Sequence, residues 1–185
     1  MRCCASKVLA LWVSLSCIAL LPGCAYSIGA YGSSVETVEA IKRQNLPPIA
    51  LGKFSAPEPG ITWVFCRGVG PLETPRKVSF ESYVETALRS DFKLAGIYDP
   101  NSRIVLGGNL EKIDINSNFS DAVWTLMLTV STDKAAYPVT TEFRFPTSFS
   151  GTQACRQTAV AFIPAVQQLF REVVADPRFK SLFSP

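Results

Sequence analysis

The chain has 185 residues, of which 48% are hydrophobic and 18% are charged. This length fits one domain with an appendage, and the apolar fraction is sufficient for a packed core. The formal net charge of +3 is too small for electrostatic binding of nucleic acid, so no nucleic-acid partner is expected. The sequence has no histidine, which removes the commonest general base and the commonest zinc ligand.

The first 23 residues have the pattern of a secretion signal. Arg2 and Lys7 precede an apolar run over residues 8–21. This run has the length of a signal-peptide core and is too short for a transmembrane helix. The run leads into four residues: Leu21, Pro22, Gly23 and Cys24. This ending resembles the lipobox of bacterial lipoproteins.

The resemblance implies a lipid anchor. Residues 1–23 would be removed, and Cys24 would carry a diacylglyceryl group on its thiol and an acyl chain on its amine. Two or three acyl chains together anchor a protein firmly. Because Ala25 follows the cysteine in place of aspartate, the expected location is the outer membrane, with the folded part in the periplasm. The inner membrane and the cell surface are alternatives, as is an ordinary signal peptide with an incidental cysteine.

The positions of the six cysteines divide them into three groups. Cys3, Cys4 and Cys17 leave with the signal, and Cys24 carries lipid. The mature chain keeps a pair, Cys66 and Cys155. In an oxidising compartment such a pair is expected to form a disulfide, with two separately buried thiols as the alternative. No metal site is expected, because two cysteines without histidine do not supply the four ligands of zinc.

The mature chain is predicted to contain a tether and one domain. Residues 24–48 are rich in small residues and end in Leu46-Pro47-Pro48, which is typical of a lipidated N-terminus and tether. Within this segment, a short helix over 35–43 is compatible with the spacing of Val35, Val38 and Ile41. Residues 49–185 are expected to form a single periplasmic domain.

The domain alternates between strand and helix patterns. Ser79 is a suitable N-cap for the clearest helix, and Gly96 is suited to end it. Pro164 must kink the last helix or break it. The predicted elements are strands over 49–54 and 61–67, a helix over 79–95, strands over 102–115, 122–130 and 139–145, and a helix over 152–175.

This order predicts an α+β two-layer sandwich. An antiparallel sheet of about four to five strands carries two helices on one face, because short polar links join the last three strands as a meander. Within the strand over 102–115, the apolar residues change parity between Leu110 and Ile113. A bulge or bend is therefore expected in this strand.

The element order also carries a family resemblance. A capped helix that runs into the sequence AGIYDP is followed by a three-strand meander and a C-terminal helix. Together with the lipobox, this order is similar to small envelope lipoproteins of Gram-negative transport and assembly machines. Examples are the auxiliary lipoproteins of ABC-type lipid transporters and the lipoprotein plug of the lipopolysaccharide translocon. The chain also looks like an uncharacterised proteobacterial lipoprotein. The resemblance implies a binding or scaffold role without cofactors and assigns no functional residue except Cys24.

No catalytic residue is assigned. Glu111 and Asp114 are a candidate carboxylate pair, but a solvated strand edge explains them better. Trp63, Trp124 and residues 143–145 either line a lipid-binding groove or belong to the core of the sheet.

Three functional hypotheses follow. The favoured one is a membrane-anchored, non-catalytic binding, assembly or transport-auxiliary subunit with an unidentified envelope protein partner. The second is a periplasmic protein that binds a lipid or another hydrophobic ligand, and the third is a hydrolase that works without histidine.

Overall fold

A computed structural model of the chain describes residues 25–117 and 121–183. The predicted signal peptide and Cys24 lie outside these residues. The strands are β1 (Tyr26–Ser27), β2 (Ala50–Leu51), β3 (Trp63–Cys66), β4 (Gly70–Glu73), β5 (Val105–Ser117), β6 (Asp121–Ser131) and β7 (Ala136–Pro146). The helices are α1 (Val35–Gln44), α2 (Phe80–Ala95), α3 (Gly151–Ala175) and α4 (Pro177–Ser181).

The strands form two sheets, one of three strands and one of four. The larger sheet has the order β2-β5-β6-β7, and the smaller has the order β1-β4-β3. Strands β5, β6 and β7 form the predicted antiparallel meander, whereas β2 joins β5 in parallel. Helices α2 and α3 pack against the larger sheet. The fold is an α+β sandwich, as the sequence predicts.

Two helix boundaries follow from the local sequence. Ser79 caps α2 by accepting a hydrogen bond from the backbone amide of Ser82 at 3.4 Å, and Gly96 ends the helix with a φ of 78°. Only glycine adopts this left-handed conformation without a steric cost. Helix α3 continues through Pro164, so this proline does not divide it into two helices.

The predicted irregularity in β5 is a bulge at Glu111. The register with β6 shifts between Leu110 and Lys112, so two residues of β5 face one residue of β6. The bulge returns Ile113 to the same side of the sheet as Leu110. The apolar residues before the bulge and those after it therefore face the same core. The adjacent glycines, Gly107 and Gly108, lie within the regular ladder.

Strand β4 is an element that the sequence did not predict. Its Pro71 and the neighbouring glycines resemble a loop, because proline lacks the amide that a strand interior needs. In the structure Pro71 pairs with Phe65 on one side only, since the pairing with β1 begins at Leu72. The missing amide of Pro71 therefore costs no ladder hydrogen bond.

The segment predicted to be a tether is instead part of the domain. Strand β1 pairs with β4, and α1 packs against α2 and α3. Ile28 and Ile41 are buried, and the Tyr31 hydroxyl donates a 2.8 Å hydrogen bond to Asp91 on α2. The small residues of this segment predict a flexible linker. The apolar residues that lie among these small residues, however, contribute to the core.

Cys66 and Cys155 form a disulfide, and their Cα atoms are 5.9 Å apart. The bond joins the end of β3 to the first turns of α3, as the sequence predicts. At the other end of α3, helix α4 and the turn after it place Phe179, Leu182 and Phe183 against the core.

The first testable prediction concerns the close contact of Gly108 with a buried ring. A Cβ atom at this position would lie 2.5 Å from the Phe54 ring, which is itself buried. Gly108→Ala should therefore lower the free energy of unfolding by about 1–3 kcal/mol, measured by urea denaturation. Gly32→Ala is the control, because nothing lies within 4 Å of its added Cβ. Equal stability of the two variants would contradict the proposed contact.

The second prediction concerns Asp91, the carboxylate that holds the N-terminal segment. Burial raises the pKa of Asp91 above its ordinary value, although hydrogen bonds from Ser33 and Tyr31 oppose the shift. The folded protein thus binds this proton more tightly than the unfolded chain. Ionisation of Asp91 therefore costs stability as the pH rises from the ordinary carboxyl pKa through the raised one.

Asp91→Asn removes this cost and keeps an oxygen that can accept the hydrogen bond from Tyr31. Its stability relative to the parent should increase with pH over that range. Urea unfolding of both proteins from about pH 4 to about pH 8 measures the difference. A difference that is constant over this range would show that Asp91 does not titrate as its burial implies.

Candidate interaction site

The space between the larger sheet and α3 is filled by aromatic rings. Phe162 on α3 is fully buried, and its ring centre lies 5.0 Å from that of Trp124 and 5.4 Å from those of Phe80 and Tyr83. The Trp124 indole also donates a 3.0 Å hydrogen bond to the carbonyl of Thr158. A ligand held between the helix layer and the sheet would have to lie in this region, which the aromatic side chains already fill.

The aromatic residues considered for a lipid groove lie in three different places. Trp124 belongs to the core, as the alternative interpretation expected. Trp63 is 51% exposed on β3. Phe143 and Phe145 are stacked on β7, with ring centres 6.3 Å apart. The structure therefore does not bring the whole set together into one groove.

A cleft of about 340 Å³ lies between the 56–61 loop, the start of α2 and the bulge of β5. Burial opposes ionisation of Glu81 in this cleft, but hydrogen bonds from Ser79 and the Gly60 amide outweigh it and lower its pKa. The Gly60 amide donates to Glu81 over 2.9 Å. Glu81 thus holds the loop against the helix.

The candidate carboxylate pair is divided between separate partners. Glu111, at the bulge, accepts a hydrogen bond from the Thr129 hydroxyl on β6. Asp114 lies 3.6 Å from the ammonium group of Lys112, and both side chains are exposed. Within residues 25–117 and 121–183, no group of three or more cysteine, aspartate or glutamate side chains is arranged to hold a metal ion.

An open, mostly apolar groove of about 500 Å³ lies between β7 and the first half of α3. The stacked rings of Phe143 and Phe145 form one wall. Val160, which is 72% exposed, stands on the other. We call this site the β7–α3 groove; it is lined by Phe143, Phe145, Pro146, Arg156, Gln157, Val160, Ala161 and Pro164.

Strand β7 is also an edge of the larger sheet. Its inner side pairs with β6 along the whole strand, and no other strand of the described part of the chain pairs with its outer side. Because Pro138 and Pro146 have no amide hydrogen, their backbones suit the outer edge. Alternation along the strand then places the amides of Thr140, Glu142 and Arg144 on that edge as well. The two prolines bracket three outward amides.

The groove and the edge adjoin each other along one strand. An extended peptide paired with the outer edge of β7 would place alternate side chains above the apolar groove, which is the usual geometry of strand addition. The sequence alone does not predict this site, because an edge strand is defined by the topology of the sheet. Two features of the sequence are compatible with such a site. Val160 is an apolar residue on the exposed side of α3, and Pro138 and Pro146 are an even number of residues apart, so both face the same edge of β7.

No helix in the described part of the chain is long and apolar enough to cross a membrane.

No protein-family model matches the chain, and no curated protein matches it. Among solved structures, a protein from Xanthomonas campestris that is assigned to the family model DUF330 has a similar fold. Its TM-score is 0.53 at 16% sequence identity, and the match covers 85% of this chain and 96% of that chain. An uncharacterised protein gives a TM-score of 0.42 at 7% identity, over 69% of this chain and 90% of that one. The first likeness shows a shared fold.

Proposed function

We propose that this protein is a membrane-anchored envelope lipoprotein that acts as a non-catalytic binding subunit of a transport or assembly machine. Its partner is an envelope protein that adds an extended segment to β7. The single observation that supports this role is the β7–α3 groove, where an apolar surface adjoins three outward amides between two prolines.

The groove and the edge of β7 would contribute both to the affinity for a partner segment and to the alignment of that segment with β7. A partner segment would cover Val160 and the partly exposed Phe143 ring, and apolar burial contributes about 25 cal/mol per Å². The outward amides of β7 fix the alignment of the segment through backbone hydrogen bonds. Pro138 and Pro146 limit the added strand to a short one, which is consistent with reversible docking of a subunit.

The other two hypotheses have weaker support. The interior that a lipid would enter is filled by Phe162 and the rings around it. Two of the three carboxylates that line the 340 Å³ cleft, those of Glu81 and Glu111, are engaged in structural hydrogen bonds.

The third prediction tests the anchor. Cys24→Ser removes the thiol that would carry the diacylglyceryl group, so the protein should lose its lipid and its membrane attachment. Mass spectrometry of the purified chain and fractionation of cell envelopes measure both properties. Cys3→Ser is the matched control, because this cysteine lies within the predicted signal. A Cys24→Ser protein that keeps its lipid would contradict the lipobox interpretation.

The fourth prediction tests the β7–α3 groove. A photo-crosslinking residue at position 156, which is exposed at the groove, should give a defined product with an envelope protein in intact cells. Val160→Glu should abolish that product, because it places a charge on the apolar wall. Leu94→Glu is the matched control, because Leu94 is 60% exposed on another helix. Both variants should keep the parent melting temperature.

Thr140→Pro tests the outer edge independently. It removes the first of the three outward amides of β7 while leaving the bonds to β6, so the crosslinked product should disappear and the protein should still fold. A product that persists in both Val160→Glu and Thr140→Pro would refute strand addition at β7. A product that is lost equally in Leu94→Glu would show that the assay reports folding and not docking.

A further inference from the structure

The hairpin formed by β3 and β4 carries exposed apolar side chains on its outer face. Trp63 and Phe65 are 51% and 56% exposed, and their rings meet edge to face with centres 6.5 Å apart. Pro71, on β4, lines the same shallow surface. Val69, in the turn, is also exposed. These four residues define what we call the hairpin face.

The end of the molecule that contains the turn extends this apolar surface. A Cβ atom at Gly151 would lie 2.8 Å from Val69, so the turn adjoins the start of α3. Phe149, two residues before Gly151, is 80% exposed. Aromatic side chains are therefore presented by two neighbouring segments at one end of the protein.

The hairpin is rigidly held. Arg67 and Gly68 both have positive φ values, and the Val69 amide donates to the Cys66 carbonyl at 2.9 Å, which closes a tight turn. The Arg67 guanidinium donates to the carbonyls of Ser117 and Ser148. Together with the disulfide, these bonds hold the turn against the end of β5 and the loop before α3.

The N-terminus of the domain leads to the same end. Strand β1 runs parallel to β4, and Tyr26 pairs with Leu72. Ala25 therefore lies at the Pro71 end of this pairing. Cys24 is only two residues before Tyr26, a distance of at most about 7 Å in an extended chain. An acyl group on Cys24 would enter the bilayer close to the hairpin face.

We propose that the hairpin face docks on the phospholipid bilayer next to the lipid anchor. This inference rests on the proposed lipidation of Cys24. Tryptophan suits the boundary between headgroups and acyl chains, and the apolar Phe65 and Val69 suit the layer below. Glu73 pairs with Trp63 at the end of the hairpin farthest from the turn, so its carboxylate stays at the level of the headgroups.

With a lipid anchor beside it, a small apolar surface is sufficient for docking on the bilayer. A few exposed side chains would bind a bilayer only weakly from solution. An acyl anchor two residues away keeps the hairpin face at a high local concentration beside the membrane, so that docking becomes an intramolecular step. The position of the anchor also favours a bilayer over a protein as the occupant of this surface.

The chain contains a built-in reporter for the test. The mature sequence keeps two tryptophans, Trp63 and Trp124, and Trp124 is fully buried. The experiment reconstitutes the purified lipidated protein into vesicles of phosphatidylethanolamine and phosphatidylglycerol that contain phospholipids with brominated acyl chains. Bromine quenches only nearby indoles, so Trp63 should be quenched and its emission shifted to shorter wavelength. Trp63→Phe removes this signal and supplies the background of Trp124.

Matched variants separate docking from anchoring. Phe65→Ser should lower the ratio of docked to undocked protein about fivefold or more, because it removes a large apolar side chain from the hairpin face. Leu94→Ser, which removes an exposed apolar residue from the distant end of α2, should leave quenching unchanged. Vesicle flotation should recover all these proteins equally, because the acyl chains alone retain them.

The outcomes distinguish the two proposals. A protein that floats with the vesicles but shows no quenching of Trp63, or equal quenching in Phe65→Ser and Leu94→Ser, overturns docking and leaves the anchor intact. If the purified chain carries no lipid, the anchor proposal fails. A maleimide lipid attached to the Cys24 thiol then tests docking with the same readout. Shielding of Trp63 that requires an added envelope protein would also overturn docking on lipid.

Discussion

The bond between Cys66 and Cys155 is the constraint on which the other features depend. It crosses 89 residues of sequence and ties the smaller sheet to the first turns of α3. Closing so long a loop restricts the unfolded chain and stabilises the fold by up to about 4–5 kcal/mol. The Arg67 guanidinium reinforces the link by bonding the hairpin turn to the end of β5 and to the loop before α3. The hairpin face and the β7–α3 groove consequently keep fixed positions relative to each other.

Sequence patterns were informative wherever burial is periodic along the chain. Helix α2 could be delimited from Ser79 and Gly96, because capping requires particular residues at particular positions. The bulge at Glu111 was detectable as a change of parity, since a regular strand cannot turn both apolar sets towards one core. The disulfide followed from a count of the cysteines that remain after Cys24. In each case one physical rule connects a short stretch of sequence to one structural outcome.

The rest depended on contacts that local patterns do not encode. Strand β4 was missed because Pro71 argues against a strand interior, and only the late start of its pairing with β1 makes it acceptable. The segment over 24–48 was interpreted as a tether because its small residues resemble a linker, whereas the buried contacts of Ile28 and Ile41 depend on distant helices. The β7–α3 groove was invisible for a related reason. Phe143 and Phe145 alternate like ordinary core residues, and the partial exposure of Phe143 follows from the position of β7 at the edge of the sheet.

Because β1 and α1 belong to the domain and do not form a tether, a lipidated form of this protein would meet its partners differently. A flexible linker of 24 residues would let the domain rotate freely and stand off the membrane by tens of ångströms. In a lipidated form, the two residues between Cys24 and Tyr26 would instead keep the domain close to the bilayer. Strand β7 ends at Pro146, immediately before the loop that Arg67 binds, so β7 runs towards the hairpin end of the molecule. With the hairpin face on the bilayer, the outer edge of β7 rises from the membrane surface, and an added strand must run along that direction. A partner segment that is itself anchored in the same membrane could meet this requirement without a long linker of its own.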